Sequence, residues 1–191
     1  MNRTSSPYLN FFIADWEKFY RDLGVAADFS GLAIPKKQEE FDRLVVVAKG
    51  ITPQGGYDLC SKLFTCWKYT DESLDEIIIH EDRVAKDGPY AVWVRDRVEA
   101  DEELADKSFN DLAKMKIPGI TLTEREILEA RYFQETGKHL DVSNWTLCSG
   151  SRDSDGYVPD AYWHGLCRKF NVHWAIPADA FGRLRSRQVV S

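Results

Sequence analysis

The sequence predicts an α/β or α+β protein in which helices pack on a mixed β-sheet of about five or six strands. Three observations support this fold class. Amphipathic helical patterns alternate with short apolar runs, the run Tyr90–Val94 is apolar on both faces, and residues 145–191 are rich in strand-forming residues. A length of 191 residues with 43% hydrophobic content fits a single globular domain, residues 1–191.

The first half of the chain begins with a helical segment, residues 6–24. Ser6 followed by Pro7 is typical of a helix start, and aromatic residues then recur every three or four positions until Gly24. Four shorter elements are predicted next: a strand over 41–48, a helix over 52–64, a strand over 65–69 and a helical turn over 74–79.

The run Tyr90–Val94 is predicted as a buried central strand that delivers charged residues to one rim of the sheet. A helix with an acidic first turn is predicted over 99–115. Thr121 with Glu124, or Thr123 with Glu126, predicts a capping box at the start of another helix, which ends at Gly137. The C-terminal part, residues 145–191, is strand-rich. Its predicted strands cover 145–149, 157–158 and 170–176, and a turn is predicted at 153–156.

Several short motifs occur in a fixed order along the chain, and their combination is more specific than any one of them. They cover residues 48–53, 66–69, 93–103, 119–125, 135–141, 147–152 and 189–191. In this order they resemble a family of uncharacterised bacterial proteins, and the resemblance extends over most of the chain from the first helix onward. It implies a bacterial source and one whole domain, and it carries over no activity, cofactor or catalytic residue.

The composition argues against several classes of protein. A net charge of −6 and a pI of about 5.3 disfavour indiscriminate binding to nucleic-acid backbones. No stretch approaches the roughly 20 apolar residues of a membrane span, and no signal-peptide pattern follows the N-terminus. A cytoplasmic protein with no membrane partner is therefore predicted.

Reduced thiols are predicted for all four cysteines, which are Cys60, Cys66, Cys148 and Cys167. Structural zinc sites use close pairs of ligands, and only Cys167 has such a neighbour, His164. The glycine-rich turn 49–56 lacks the P-loop and dinucleotide-binding signatures. Neither a metal nor a cofactor is predicted.

One candidate site is the charged cluster that follows the predicted central strand, together with two histidines. Its candidate catalytic residues are Arg95, Asp96, Arg97, Glu99, His164 and His173. Guanidinium groups bind carboxylates or phosphates, an acidic side chain can act as a base, and a histidine can shuttle a proton. This set gives the alternative hypothesis of a small hydrolase or transferase with an anionic substrate. Ion pairs at a strand-to-helix junction explain the same cluster.

The second candidate site is an aromatic and basic surface in the C-terminal part. Its candidate binding residues are Trp163, Trp174, Arg183, Arg185 and Arg187. Such a mixture suits a protein interface or single-stranded nucleic acid. The leading hypothesis is therefore a non-catalytic interaction or regulatory protein. The basic tail would otherwise pair with the acidic half of the same chain, or with that of a second copy in a homo-oligomer.

Overall fold

The structure, a computed structural model, describes residues 7–191, with side chains from residue 12 onward, as a single α+β fold. Within this range it contains five α-helices, one short 3-10 helix and nine β-strands. The predicted fold class is confirmed. The predicted helix cap at Ser6 lies outside the described residues.

The helices are α1 (Pro7–Asp22), α2 (Pro53–Leu63), α3 (Leu74–Ile77), α4 (Phe109–Met115) and α5 (Leu122–Thr136), and the 3-10 helix spans Glu102–Leu104. The strands are β1 (Arg43–Val47), β2 (Cys66–Lys68), β3 (Ile78–Glu81), β4 (Tyr90–Val94), β5 (Trp145–Leu147), β6 (Ser151–Asp153), β7 (Val158–His164), β8 (Lys169–Ala175) and β9 (Leu184–Ser186).

The largest sheet is mixed and has five strands, as predicted. Their order is β2-β8-β7-β5-β9. β7 is antiparallel to both of its neighbours, whereas the outer strands β2 and β9 run parallel to theirs. The β7–β8 hairpin is the longest ladder and pairs residues from Val158 with Ala175 to His164 with Lys169. Side chains of residues paired in this way lie on the same face of the sheet.

The predicted strand Tyr90–Val94 is confirmed as β4, and four of its five residues are buried. It is not the centre of the large sheet, however, because it pairs with β1 in a separate antiparallel sheet of two strands. A further backbone pair joins Trp93 to Val190. The apolar side chains of β4 join those of α1 and α5 in the main core, so burial on both faces does not require a place in the large sheet.

The helix predicted over 99–115 is wrong in its first half. The chain forms only the 3-10 turn and then leaves the helical conformation at Asp106, which has a φ of 57°. Ser108 begins a new helix, α4, because its side chain and that of Asp111 form a capping box. This second start signal was not recognised in the sequence.

Two further strands differ from the prediction. β3 lies where a helical turn and an exposed loop were predicted, and it pairs with β6 in an antiparallel sheet that has an irregularity between Ile78 and His80. β7 is also longer than predicted, since it continues through Pro159 to His164. The lack of an N–H on Pro159 did not end this strand.

Helix α5 occupies the interior and contacts α2, β1 and β7. The predicted capping box is confirmed, since the Thr121 hydroxyl accepts from the Glu124 N–H while the Glu124 carboxylate accepts from the Thr121 N–H. Gly137 ends the helix with a φ of 68°. Across the range that the structure covers, no helix is both long enough and apolar enough to cross a membrane.

Candidate functional site

The charged cluster after β4 is held by partners within the fold. Arg95 forms an ion pair with buried Asp101, 2.7 Å between Nη1 and Oδ2. Arg97 binds Glu103 with both terminal nitrogens, at 2.6 and 2.9 Å, and this pair lowers the pKa of the Glu103 carboxyl to about 2. Asp96 points to solvent. The cluster therefore has the geometry of ion pairs that fix a junction between strand and loop.

Glu99 is also engaged, because its carboxylate accepts hydrogen bonds from the backbone N–H groups of Ser143 and Asn144. Arg97, Glu99 and Arg185 meet in a cleft of about 500 Å³, where they are joined by Ala100, Glu102 and Glu103. Among the described residues that line this cleft there is no histidine. The structure therefore brings part of the predicted catalytic set together, without its proposed proton shuttles.

The two histidines of that set lie on the hairpin of β7 and β8. His164 accepts a hydrogen bond at Nδ1 from the N–H of Cys167, at 3.2 Å. Nδ1 of His173 lies 3.0 Å from the carbonyl oxygen of Trp174. Register and alternation place both imidazoles on the same face of the large sheet, since His164 pairs with Lys169 and His173 follows four residues later.

The opposite face of this hairpin is covered by the main core. Ala161, Phe170 and Val172 are fully buried there. Trp163 shares that face, where its ring stacks on His139 with ring centroids 3.3 Å apart and planes at 4°. Trp163 also packs against Phe64. Alternation thus turns the Trp163 ring toward the main core, where it is partly buried, and the residue also lines a groove beside Trp145 and Tyr162.

The face that carries the histidines is only half covered. A second, smaller core under α4 and the 3-10 helix buries the end that contains Leu147, Val158, Ala175 and Leu184. Within the part of the chain that the structure describes, the other end has no such layer, and we call it the open face. Its side chains are Trp67, Trp145, Tyr162, His164, Lys169, Asn171 and His173.

One row of paired residues crosses the open face from edge to edge. Trp67 of β2 pairs with Asn171 of β8, which pairs with Tyr162 of β7. Trp145 of β5 stacks on Tyr162, with ring centroids 4.7 Å apart and planes at 19°. On the other side Trp67 stacks on His173, with ring centroids 6.0 Å apart and planes at 25°. The row thus carries two pairs of stacked rings with an amide between them.

Beside the ring pair Trp145 and Tyr162 the surface forms a groove of about 440 Å³. Its wall includes the exposed guanidinium side chain of Arg183 and the hairpin tip, where Leu166 is 95% exposed. The nine described residues that line the groove include no aspartate and no glutamate. The groove therefore combines ring surfaces with positive charge.

The remaining predicted binding residues divide between different environments. Trp174 is 37% exposed, but it lies on the face of the sheet opposite to the open face and stacks on Tyr157 with ring centroids 4.6 Å apart. Arg185 is half-buried and lines the cleft with Arg97. Of the predicted residues, Trp163, Arg183 and the two histidines thus lie at the open face or its groove.

Arg187 is a clear correction, since it is only 1% exposed and cannot belong to a basic surface. Its guanidinium group binds the carboxylate of buried Asp141 at 2.7 Å. Three arginines at alternate positions would share a face only in a continuous strand, and β9 has just three residues. Arg183 precedes β9 and Arg187 follows it, so the three arginines differ in burial: Arg183 is exposed, Arg185 is half-buried and Arg187 is buried.

Sequence reasoning missed Trp67, Trp145 and Phe181 as contributors to this surface. Phe181 is exposed and meets Trp145 edge-on at 5.4 Å. The strand of Trp67 was predicted, but the side chain it presents to solvent depends on the register with β8. Register between strands of distant sequence position has no local signal.

The cysteines and the glycine-rich turn show no chemistry of their own. Burial raises the pKa of the Cys60 and Cys148 thiols well above the usual range and that of Cys66 to about 12, so these thiols are unreactive. All four cysteines are free. The N-terminus of α2 is already occupied by the carboxylate of Asp75, which accepts from the N–H of Gln54 at 2.8 Å. Throughout residues 7–191 no group of three or more acidic, histidine or cysteine side chains is arranged to hold a metal ion.

Comparison with known proteins gives no relative: no family model, curated protein or solved structure matches this chain. Only the geometry of the molecule therefore indicates its function.

Proposed function

We propose that this protein is a non-catalytic binding protein, and that the open face is its binding surface for a ligand that carries flat rings. The observation that supports this proposal is the row of stacked ring pairs on a sheet face that the second core leaves uncovered. Trp67 is 42% exposed although it belongs to the largest and most hydrophobic class of side chains. Exposed apolar rings grouped on one surface mark binding sites.

The rings are held in place before any ligand arrives. Trp67 and Trp145 each stack on a neighbouring ring, and the strands beneath them are paired on both sides, apart from β2 at the edge. Side chains that are already ordered lose little conformational entropy on binding. A flat ligand can therefore stack on the outer ring of either pair without reorganising the sheet.

The test uses adenosine, a flat ring probe that has no phosphate, and follows the indole N–H signals in nitrogen–proton NMR spectra. We expect adenosine at millimolar concentration to shift the signals of Trp67 and Trp145 and to leave the buried Trp16 unchanged. The Tyr162→Ala variant should reduce the shift at Trp145, while Ile79→Ala, which removes an exposed side chain from β3 in a separate sheet, should not. Unshifted signals of both Trp67 and Trp145 would refute the proposal.

A further inference from the structure

From the charges around the open face we infer that its ligand is single-stranded nucleic acid, with bases stacked on the ring pairs and phosphates beside Arg183 and Lys169. This inference rests on the proposed function, because it names the ligand of the same surface. Its basis is the combination of ring geometry with an uneven distribution of charge.

The chain as a whole is acidic, with 31 acidic residues against 25 lysines and arginines, yet the open face is not. Residues 161–175, which include most of β7, all of β8 and the turn between them, contain no aspartate or glutamate. Lys169 lies on the open face in register with His164, and Arg183 stands at the groove. An anionic ligand is therefore attracted to this surface and repelled by much of the rest.

Two carboxylates near this surface are buried or engaged by backbone donors. Asp160 lies on the same face but is 1% exposed, and burial raises its pKa to about 7. Glu99 binds the backbone at Ser143, one of the groove residues, and so points its charge at N–H donors. Neither group presents a free negative charge to a ligand on the open face.

The spacing of the ring pairs fits two bases of one strand that are separated by one nucleotide. Trp67 and Tyr162 lie on strands separated by β8, so that two strand spacings, roughly 10 Å, separate them. Sheets that bind single-stranded RNA stack two or three bases on aromatic side chains across adjacent strands. Asn171, between the rings, is only 7% exposed and forms the floor between them.

A duplex does not fit this arrangement. Its bases are stacked on one another and paired, so that their faces are not available to Trp67 and Tyr162. Stacking of unpaired bases does not depend strongly on sequence, since every base has a π face. We therefore expect binding to single strands with little sequence preference and with a clear dependence on salt.

The experiment measures fluorescence anisotropy of labelled octamers of uridylate and of thymidylate with the full chain. Trp67→Ala is expected to weaken binding by about 5- to 100-fold, because base stacking on one ring contributes that much. Ile79→Ala, which removes an exposed apolar side chain from β3 in a separate sheet, should change affinity by less than about twofold. Thermal unfolding of each variant checks that the fold is retained.

The charges are tested through the salt dependence of the same binding. Arg183→Ala and Lys169→Ala should each reduce the slope of log affinity against log salt by about 0.7. Arg21→Ala, which removes an exposed guanidinium group from α1, should leave the slope unchanged. Slopes that are the same in all three variants would overturn the inference.

The remaining outcomes separate this inference from the proposed function. Shifts with adenosine but no binding of either octamer would overturn the nucleic-acid ligand and leave the ring-binding face intact. Absence of both would overturn both. A duplex of equal charge that binds as tightly as the octamers would also overturn the inference. Tighter binding of uridylate than thymidylate would support RNA as the source, whereas equal binding would support single strands of either kind.

Discussion

Replacing Arg187 with methionine should destabilise the protein severely, although the residue belongs to a short basic tail in the sequence. Its guanidinium group is buried and makes four contacts: Nη2 with Asp141 Oδ1 at 2.7 Å and with the Val98 carbonyl at 2.8 Å, Nη1 with the Arg97 carbonyl at 2.9 Å, and Nε with Thr146 Oγ1 at 3.2 Å. Methionine fills much of the volume but satisfies none of these oxygens.

The expected cost is about 3–5 kcal/mol, because one partner of a buried ion pair is removed while the other charge stays. Asp141 keeps its contact with Arg125, 2.8 Å between Nη2 and Oδ2, which limits the loss. Two carbonyl groups would also lose a charged donor. Against a typical unfolding free energy of about 5–15 kcal/mol, this loss takes up a large share of the stability.

Urea unfolding of the wild-type protein and two variants provides the measurement. The matched control is Arg183→Met, the same change four residues earlier at an exposed position, which should alter the free energy of unfolding by less than about 0.5 kcal/mol. Equal effects of the two substitutions, or a loss below about 1 kcal/mol for Arg187→Met, would refute the assignment of Arg187 to a buried ion-pair network.

Two further predictions concern buried carboxyl groups. Burial raises the pKa of the Asp160 carboxyl from 3.8 to about 7, so its contribution to stability is full below pH 3.8 and is lost as the pH rises toward 7. Urea unfolding should therefore show that the free energy of unfolding falls by roughly 2–3 kcal/mol between pH 5 and pH 8. The Asp160→Asn variant should not show this loss. Gly56→Ala should destabilise the protein by about 1–3 kcal/mol, because the new methyl group would lie 2.4 Å from the Glu126 carboxylate. The double variant Gly56→Ala with Glu126→Ala should recover most of this loss in the same assay, and additive losses would contradict the predicted contact.

The sequence was a good guide to elements whose signals are local. The capping box at Thr121, the glycine stop at Gly137 and the apolar run Tyr90–Val94 each depend on residues within one element, and each is found where it was predicted. The same reasoning failed for residues 99–115, where the acidic start signal at Glu99 was followed, nine residues on, by the stronger start at Ser108. Local patterns thus compete, and only the folded chain decides between them.

The polar interior could not be predicted, because its partners are distant in sequence. α5 looks amphipathic, yet Arg125, Glu126 and Glu129 are all buried. Arg125 is paired with Glu129 one turn later and with Asp141, 16 residues away. A sequence pattern assigns such charges to solvent by default, since burial requires a partner that the pattern does not reveal.

Within residues 7–191 Glu126 is buried without such a partner, unlike Arg125 and Glu129. Among the described residues neither of its carboxylate oxygens has a hydrogen-bond partner, and burial raises the pKa of its carboxyl well above the usual range. A neutral carboxyl in that place still leaves polar atoms unsatisfied, which costs about 1–3 kcal/mol. The close approach of α2, permitted by the missing side chain of Gly56, is what encloses it.

The buried ion pairs and the open face are parts of one arrangement. Thr146 donates to Asp141 and accepts from Arg187, and it lies next to Trp145 in β5, so the strand that presents the Trp145 ring is anchored from behind by charged hydrogen bonds. The backbone N–H of Trp163, next to Tyr162 in β7, donates to the carbonyl of Asp141. A buried ion pair adds little net stability compared with apolar packing, but it fixes position strongly, since any displacement exposes unpaired charge. The proposed stacking of flat ligands on these rings requires such fixed positions, which gives the polar interior behind them a physical reason.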